Sequence, residues 1–453
     1  MNVIRKRCNR RINTLPGNLV KTIVISLFFL SVRALITPVF AEEKNSTYTR
    51  INNFSYSFNL LTEGEWIEQS SSLLNPENLL QLNDRRAEAV LLGETSYKGF
   101  GGLLEADFRL DYQYLQGSSS DTFDRSLSKV SLHELYYQTN GGSASFLAGR
   151  KKVRWGVGYA YSPTDLITQL KNPEDPDDRL GEIKGTDLVS VSLVSEKGQL
   201  DLIYFPEVNW AFDDSFILNN RAGMRLYRFF DPVDLSLVGI VDEDGDWSAG
   251  ANTSFTLGKA LELHAEYLYT SKNNRQYPDP ATNPDQLLYP YAASSGEGFH
   301  DMVVGGQYTF KSNWNITLEY LYHSSGYTSA EFDAAHQHLS YLNGQLDNPA
   351  VQALAESGIL EAASSFSSPQ RKHYLFSRLY NPEALKSLSL ELYSFTGIAD
   401  WSGLVVFTPK YSVSDYFDIY VRLEKFWGGN DTEFGLVPED FSAIAGISLS
   451  WGN

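Results

Sequence analysis

The sequence predicts an all-β chain: a single antiparallel transmembrane β-barrel of 16–18 strands, following a cleaved signal peptide. The expected division is residues 1–41 for the signal and 42–453 for the barrel. Three observations carry this. Segments of about ten residues alternate apolar and polar side chains, the pattern of strands with lipid on one face and water on the other. Aromatic residues are abundant, with 27 Tyr, 26 Phe and 8 Trp, and they sit at the ends of the apolar faces, where a membrane interface favours them. Connections between segments alternate short and long along most of the chain.

The first 41 residues hold seven basic side chains (Arg5, Lys6, Arg7, Arg10, Arg11, Lys21, Arg33) and no acidic one. An apolar run from Ile23 to Leu30 continues toward Phe40, and Val39-Phe40-Ala41 puts small residues at the −3 and −1 positions. A basic head, an apolar middle and a small-residue exit describe a secretory signal. Arg33 interrupts the apolar stretch, which is too short for a membrane-spanning helix.

Past residue 41, no run is long and apolar enough for such a helix, so strands are the remaining way across lipid. The last segment is the clearest. Phe441, Ala443, Ala445, Ile447, Leu449 and Trp451 fall on one face, and Ser442, Gly446, Ser448 and Ser450 on the other. Successive side chains of a strand point to opposite sides. The same reading sets Leu104 to Tyr114 against Glu105, Asp107, Arg109 and Asp111. It sets Leu261 to Tyr269 against Glu262, His264 and Glu266, and Trp314 to Tyr322 against Thr317, Glu319 and His323. Phe417 to Leu423 then oppose Asp418, Tyr420, Arg422 and Glu424. Segments 86–96 and 128–139 alternate poorly, and Glu134 interrupts an expected lipid face.

Short connections are expected near 97–102, 140–142, 195–198, 230–232, 257–259, 311–313, 381–386 and 410–413. Long ones are expected near 62–85, 116–127, 157–186, 207–220, 272–297, 326–371 and 428–439. Two extra tight links, near 243–245 and 397–399, fall on the long side. Transmembrane barrels sort their loops in this way, and a soluble β-protein has no reason to. Within 326–371, residues 348–366 read as a helix, with Asn348 as cap and Pro349 in the first turn. That helix could serve as a lid, fold into the pore or decorate the surface.

Charge and cysteine narrow the function. Removing the signal takes the net charge from −18 to −25, which argues against nucleic acid as a partner. The one cysteine, Cys8, lies in the signal, so no disulfide, thiolate metal site or other cofactor is expected.

Two stretches resemble Gram-negative outer-membrane porin-like proteins. Ala148-Gly149-Arg150-Lys151-Lys152-Val153-Arg154-Trp155-Gly156, followed by Ser162-Pro163-Thr164-Asp165, is similar to a stretch in barrel families related to porins and exopolysaccharide-export barrels. Phe434-Gly435 to Trp451 looks like the closing strand that the barrel-assembly machinery recognises, although Gly452 and Asn453 follow the aromatic residue. The resemblance implies the cell outer membrane as location, lipid and lipopolysaccharide as surroundings, the assembly machinery as partner and a homo-trimer as one oligomeric option.

The expected function is a channel for passive diffusion of small hydrophilic solutes or ions. Arg150, Lys152 and Arg154 share one strand face and should form a basic ladder in the lumen; Lys151 would then face lipid. Glu174, Asp175, Asp177 and Asp178 form a candidate constriction loop opposite them, and charge rings of this kind select ions. That acidic run could instead bind Ca²⁺, but it lacks the glycine and distal glutamate of a dedicated loop. Glu105, Asp107, Arg109, Glu262, Glu266, Glu319 and Arg422 are the other candidate pore-lining residues. His264 between Glu262 and Glu266 reads as a hydrogen-bond network, since ligands at i, i+2 and i+4 on a strand are too far apart for one ion. His323 and Ser325 could pair, but inside the lumen, which disfavours lipid hydrolysis. The alternatives are an export barrel for lipid or polysaccharide, a sheath for a haem-carrying partner in a porin–cytochrome conduit, and an outer-membrane hydrolase.

Overall fold

The computed structural model describes residues 53–116, 125–168, 170–207, 220–293, 297–366 and 369–453, so the expected signal peptide and its cleavage point lie outside the described residues. The strands are β1 (Phe54–Gln69), β2 (Arg85–Gly99), β3 (Gly102–Gln116), β4 (Arg125–Gly141), β5 (Ala144–Lys151), β6 (Thr186–Ser195) and β7 (Gly198–Phe205). They continue with β8 (Arg221–Phe230), β9 (Val233–Asp242), β10 (Trp247–Leu257), β11 (Leu261–Thr270), β12 (Gln276–Pro278), β13 (Tyr291–Ala293) and β14 (Phe299–Thr309). The last are β15 (Asn315–His323), β16 (His373–Leu385), β17 (Leu388–Gly397), β18 (Gly403–Ser414), β19 (Phe417–Trp427) and β20 (Glu439–Gly452). Two helices, α1 (Ser329–Gly344) and α2 (Gln352–Ser365), lie between β15 and β16.

All strands but β12 and β13 belong to one 18-stranded sheet. It closes on itself: β1 pairs antiparallel with β20 from Ser57↔Gly452 to Gln69↔Glu439. Trp451 stacks on Phe58 at 5.6 Å across that seam. Closure leaves no edge strand, as hydrocarbon requires of any sheet that crosses it. Apolar side chains on one face of the strands (Leu104, Tyr112, Leu263, Tyr267, Leu318, Ile419, Val421) are exposed, while Arg109, Asp111, His264, Glu266, Glu319 and Arg422 on the other are buried. The barrel is turned greasy side out, as a sheet surrounded by lipid requires. Inner side chains approach the wall closely: a Cβ at Gly446 would lie 2.4 Å from the Tyr420 ring.

Loop lengths alternate as expected. One rim carries tight turns such as 100–101, 142–143, 196–197, 231–232 and 415–416, and the other carries 70–84, 152–185, 271–298, 324–372 and 428–438. The turns after β16 and β18 fall at 386–387 and 415–416, a few residues beyond the expected positions, because both strands run further than their alternation is clean.

The weak alternation of β4 has a local cause. Asp107 pairs with Glu134 but Phe108 with Leu132, so His133 is an extra residue. Such a β-bulge shifts the inward and outward parity of everything beyond it. Ser131, His133, Glu134 and Tyr136 are consequently all buried, and Glu134 points into the lumen rather than at lipid.

The 326–371 connection holds two helices rather than one. The anticipated helix begins later than expected. Its N-cap is Val351, and the Asn348 side chain instead accepts from Ala350 N at 3.2 Å. α1 went unanticipated, although Thr328-Ser329-Ala330-Glu331 is a capping box: the Thr328 hydroxyl accepts from Glu331 N, and the Glu331 carboxylate accepts from Thr328 N.

Deleting His133 removes the extra residue and leaves β4 in plain alternation, with Leu132 outward and Glu134 still inward opposite Asp107. We expect folding stability to change by less than about 1 kcal/mol, read by urea unfolding in lipid vesicles. A loss of several kcal/mol would mean that the parity of β4 depends on more than this one residue.

Candidate functional site

The lumen is occupied by residues 152–185, which leave β5 and return at β6. Gly149 starts this departure: its φ of +128° is open mainly to glycine, and a Cβ there would meet Leu135 O at 2.2 Å. The segment folds into two lobes, each built on buried carboxylates.

In the first lobe the chain turns tightly between Gly156 and Ser162, where a Cβ at Gly156 would overlap Ser162 Oγ at 1.6 Å. Trp155 and Ile167 pack on an apolar patch of inner wall made by Tyr136, Leu147, Leu188, Ile203, Phe205 and Val238. Glu266 on β11, 2 % exposed, gathers the turn. Its Oε1 accepts from Val157 N (2.5 Å), Gly158 N (2.5 Å) and Ser162 Oγ (2.8 Å). Its Oε2 accepts from Thr164 N (3.0 Å) and Thr164 Oγ1 (2.7 Å). Glu319 on β15 accepts from Tyr159 N (2.5 Å) and Ala160 N (2.9 Å), and from His264 Nε2 (2.8 Å). Asp165 closes the lobe internally by accepting from Trp155 N and Gly156 N and pairing with Arg154 at 3.0 Å. A buried carboxylate is tolerable only when its lone pairs are so filled.

The second lobe lies against β17, β19 and β1 to β3. Glu174 O accepts from Tyr393 OH (2.7 Å) and Arg422 (3.2 Å), and Asp175 lies 3.8 Å from Arg422. Burial lifts the Asp175 carboxyl to about 6 against the pull of Arg422. Arg179 pairs with Glu63, Leu180 packs on Leu61 and Val90, and Leu180 O accepts from Arg109 Nε at 3.0 Å. The Tyr159 hydroxyl donates to Asp177 at 2.7 Å and ties the lobes together.

The expected basic ladder is corrected here. β5 ends at Lys151, and the turn at Gly149 breaks the alternation, so Arg150, Lys152 and Arg154 do not share a strand face. Arg150 is buried in a two-pronged pair with Asp187 (3.1 and 2.8 Å). Lys151, expected to face lipid, instead rests its ammonium 3.6 Å above the ring of Tyr136, a residue of the lumen cluster. Lys152 N donates to Glu134. The four acidic loop residues also have separate tasks: Asp178 accepts from Glu182 N and Ile183 N, Asp177 meets Tyr159, and Glu174 is buried. They do not converge as calcium ligands would.

Among the remaining candidates, Glu262 lies 3.3 Å from His264, and Arg109 spans Glu88 and Asp111 at 3.3 and 3.0 Å. Glu105 accepts from Tyr136 OH at 2.8 Å. Ligand oxygens of Glu105, Asp107 and Glu134 lie within 4.8 Å of one another on the wall. Glu94 pairs with Asp107 across strands and extends this acidic patch. Glu134 could not be assigned to it from sequence, because only the bulge turns it inward.

His323 and Ser325 do meet, at 2.8 Å, and Asp301 on β14 bonds the other ring nitrogen. Asp301 was not foreseen, since pairing across strands is invisible to local spacing. The neighbouring amides of Ser324 and Gly326 are already committed to His300 O and His323 O, so they cannot hold an oxyanion.

On the loop-bearing rim, Glu433 (1 % exposed) accepts from Tyr374 OH (2.9 and 2.7 Å) and Gln370 N (2.8 Å). Burial raises its carboxyl from 4.5 to about 7. The folded state therefore holds that proton more tightly than the unfolded chain does. Stability from this group is full below about pH 4.5 and declines as pH rises to about 7. Glu433→Gln should flatten that decline in detergent unfolding curves; an unaltered pH profile would contradict it. For the lumen, Glu266→Gln removes one of two acceptor oxygens. The amides of Val157, Gly158 and Thr164 should then exchange hydrogen roughly ten- to a hundredfold faster, the worth of a bond to a charged group. Unchanged protection would leave wall packing alone as the anchor.

No protein-family model matches the chain, and no curated protein matches it. Solved structures do. Pseudomonas aeruginosa OccK5 (OpdH) is 9% identical with a TM-score of 0.51, covering 88% of this chain and 98% of that one. P. aeruginosa OccK8 (OprE) is 9% identical at a TM-score of 0.50, with the same coverage. A mutant of the Rh. blastica porin is 11% identical at 0.42, covering 88% and 100%. The fold of this chain is that of a porin-like outer-membrane β-barrel.

Proposed function

We propose that the protein is a constricted diffusion channel for small hydrophilic solutes, with a preference for cations. The observation that carries this is the segment 152–185, held within an 18-strand barrel by the buried carboxylates Glu266 and Glu319. A barrel of that size leaves an aqueous lumen rather than a packed core. A segment anchored to its wall narrows that lumen to a size that sorts solutes.

The sign of the preference follows from the wall. Glu94, Asp107 and Glu134 are cross-strand neighbours on β2, β3 and β4, with Glu105 beside them, and Lys151 is the cation nearby. Arg150, expected from the sequence as part of a basic ladder in the lumen, is neutralised by Asp187. Clustered carboxylates in a low-dielectric wall raise the local concentration of cations and delay anions. The lumen charges Arg109, Glu262 and Arg422 are paired with neighbours and act first as scaffold.

In planar bilayers the purified protein should give discrete conductance steps with cation-over-anion permeability. Combining Glu105→Gln, Asp107→Asn and Glu134→Gln should lower that permeability ratio roughly twofold or more. Anion preference in the wild type would defeat the proposal, as would absence of conductance both in the wild type and in a variant whose residues 329–365 are replaced by a short linker.

A further inference from the structure

The helical hairpin α1–α2 starts from β15 and returns to β16, yet its partners lie far around the rim. His338 Nδ1 lies 3.2 Å from Pro284 O, and its ring stacks on Tyr289 at 5.0 Å, both in the β11–β14 connection. His336 Nε2 donates to Asn430 O at 3.0 Å, in the β19–β20 connection. Asn343 Nδ2 donates to Leu73 O at 2.9 Å, in the β1–β2 connection. Eight strands of the eighteen separate the β11–β14 connection from the β1–β2 connection, so the two stand on nearly opposite sides of the mouth. His338 and Asn343 are five residues apart on one helix, about 7.5 Å of rise. Loops rooted on opposite sides of the same rim therefore converge on α1, which places the helix across the mouth of the barrel.

The hairpin is one body. α1 buries Phe332, Leu339 and Leu342, and α2 buries Ile359. The helices touch closely where a Cβ on Gly358 would lie 2.9 Å from Leu342 Cδ1. Its base is tied firmly. Tyr327 N donates to Gln370 O at 2.7 Å, Arg275 donates to Gln370 O and Oε1 (3.2 and 2.8 Å), and Gln370 N donates to Glu433. Its hold on the far rim is lighter: of the hydrogen bonds named above, those to Leu73 and Asn430 each join one side chain to a loop carbonyl. Bonds of this kind are individually weak, and loops are the first parts of a fold to open.

We propose that α1–α2 is a gate, shut in this structure, that turns on its two legs at 324–327 and 369–372 and carries α1 away from Leu73 and Asn430 to admit solute. The gate rests on the channel reading. Solute reaches the anchored segment 152–185 only after the hairpin lifts, so the constriction sets selectivity and the hairpin sets access.

The test is a lock. In a Cys8→Ser background, Leu73→Cys and Asn343→Cys are bridged with a short bis-maleimide in the full-length protein reconstituted in vesicles. Uptake of small sugars and ions should fall to roughly a fifth or less of the unbridged value. Replacing 329–365 with a short Gly-Ser linker, which touches no strand, should raise the open fraction of single channels above wild type. Bridged and unbridged proteins that conduct alike, together with a linker variant no more open than wild type, would overturn the gate while leaving the channel standing. A wild type that is silent while the linker variant conducts supports the gate. Silence of both overturns the channel reading and the gate with it.

Discussion

Hydrocarbon offers a peptide group no hydrogen-bond partner, and the architecture follows from that constraint. Each N–H and C=O within the membrane must find its mate in the sheet, so β1 must meet β20 and the sheet must close. Closure then divides every strand into a lipid side and a lumen side with no freedom to slip, because a slip of one residue exchanges the two sides. The bulge at His133 shows the force of this rule. A strand whose residues would put Glu134 in lipid gains one extra residue at the point where the charge needs to be turned inward.

Once charged side chains are turned inward, they need partners of their own. Much of the inner wall is satisfied by residues 152–185 rather than by water alone. Glu266 and Glu319 bind backbone amides, Arg109 and Arg422 bind backbone carbonyls, and Asn252 donates to Trp155 O at 2.8 Å. The wall thus holds the segment, and the segment satisfies the wall. Charges that look like a selectivity filter in isolation are largely spent on architecture. The acidic patch of Glu94, Glu105, Asp107 and Glu134 gathers several carboxylates of one sign on adjacent strands.

The two obstacles in the barrel differ in how they are held. The inner segment is fixed by charged groups buried almost completely, where hydrogen bonds are strong and their loss is costly. The helical hairpin is firm at its legs and lightly fastened at its far side. In the proposed channel, a rigid filter beneath a lifting cover would separate choice of solute from admission of solute.

The sequence by itself determined the class of fold, the strand count to within two, the sorting of loops and the inner and outer faces of strands such as β3, β11, β19 and β20. These depend on a period-two rule that is local to each strand. It also picked out Trp155, Gly156, Pro163 and Asp165 as a distinctive stretch without showing that it lines the lumen. The tertiary structure alone decided the rest. Arg150 is neutralised because Asp187 is brought beside it by strand pairing, Lys151 turns inward because Gly149 adopts a positive φ, and Glu134 does so because of a bulge. Glu266 and Glu319 become anchors because backbone amides more than a hundred residues away in sequence come to lie on them. Pairings of that kind are set by closure of the ring, and no local pattern of residues records them.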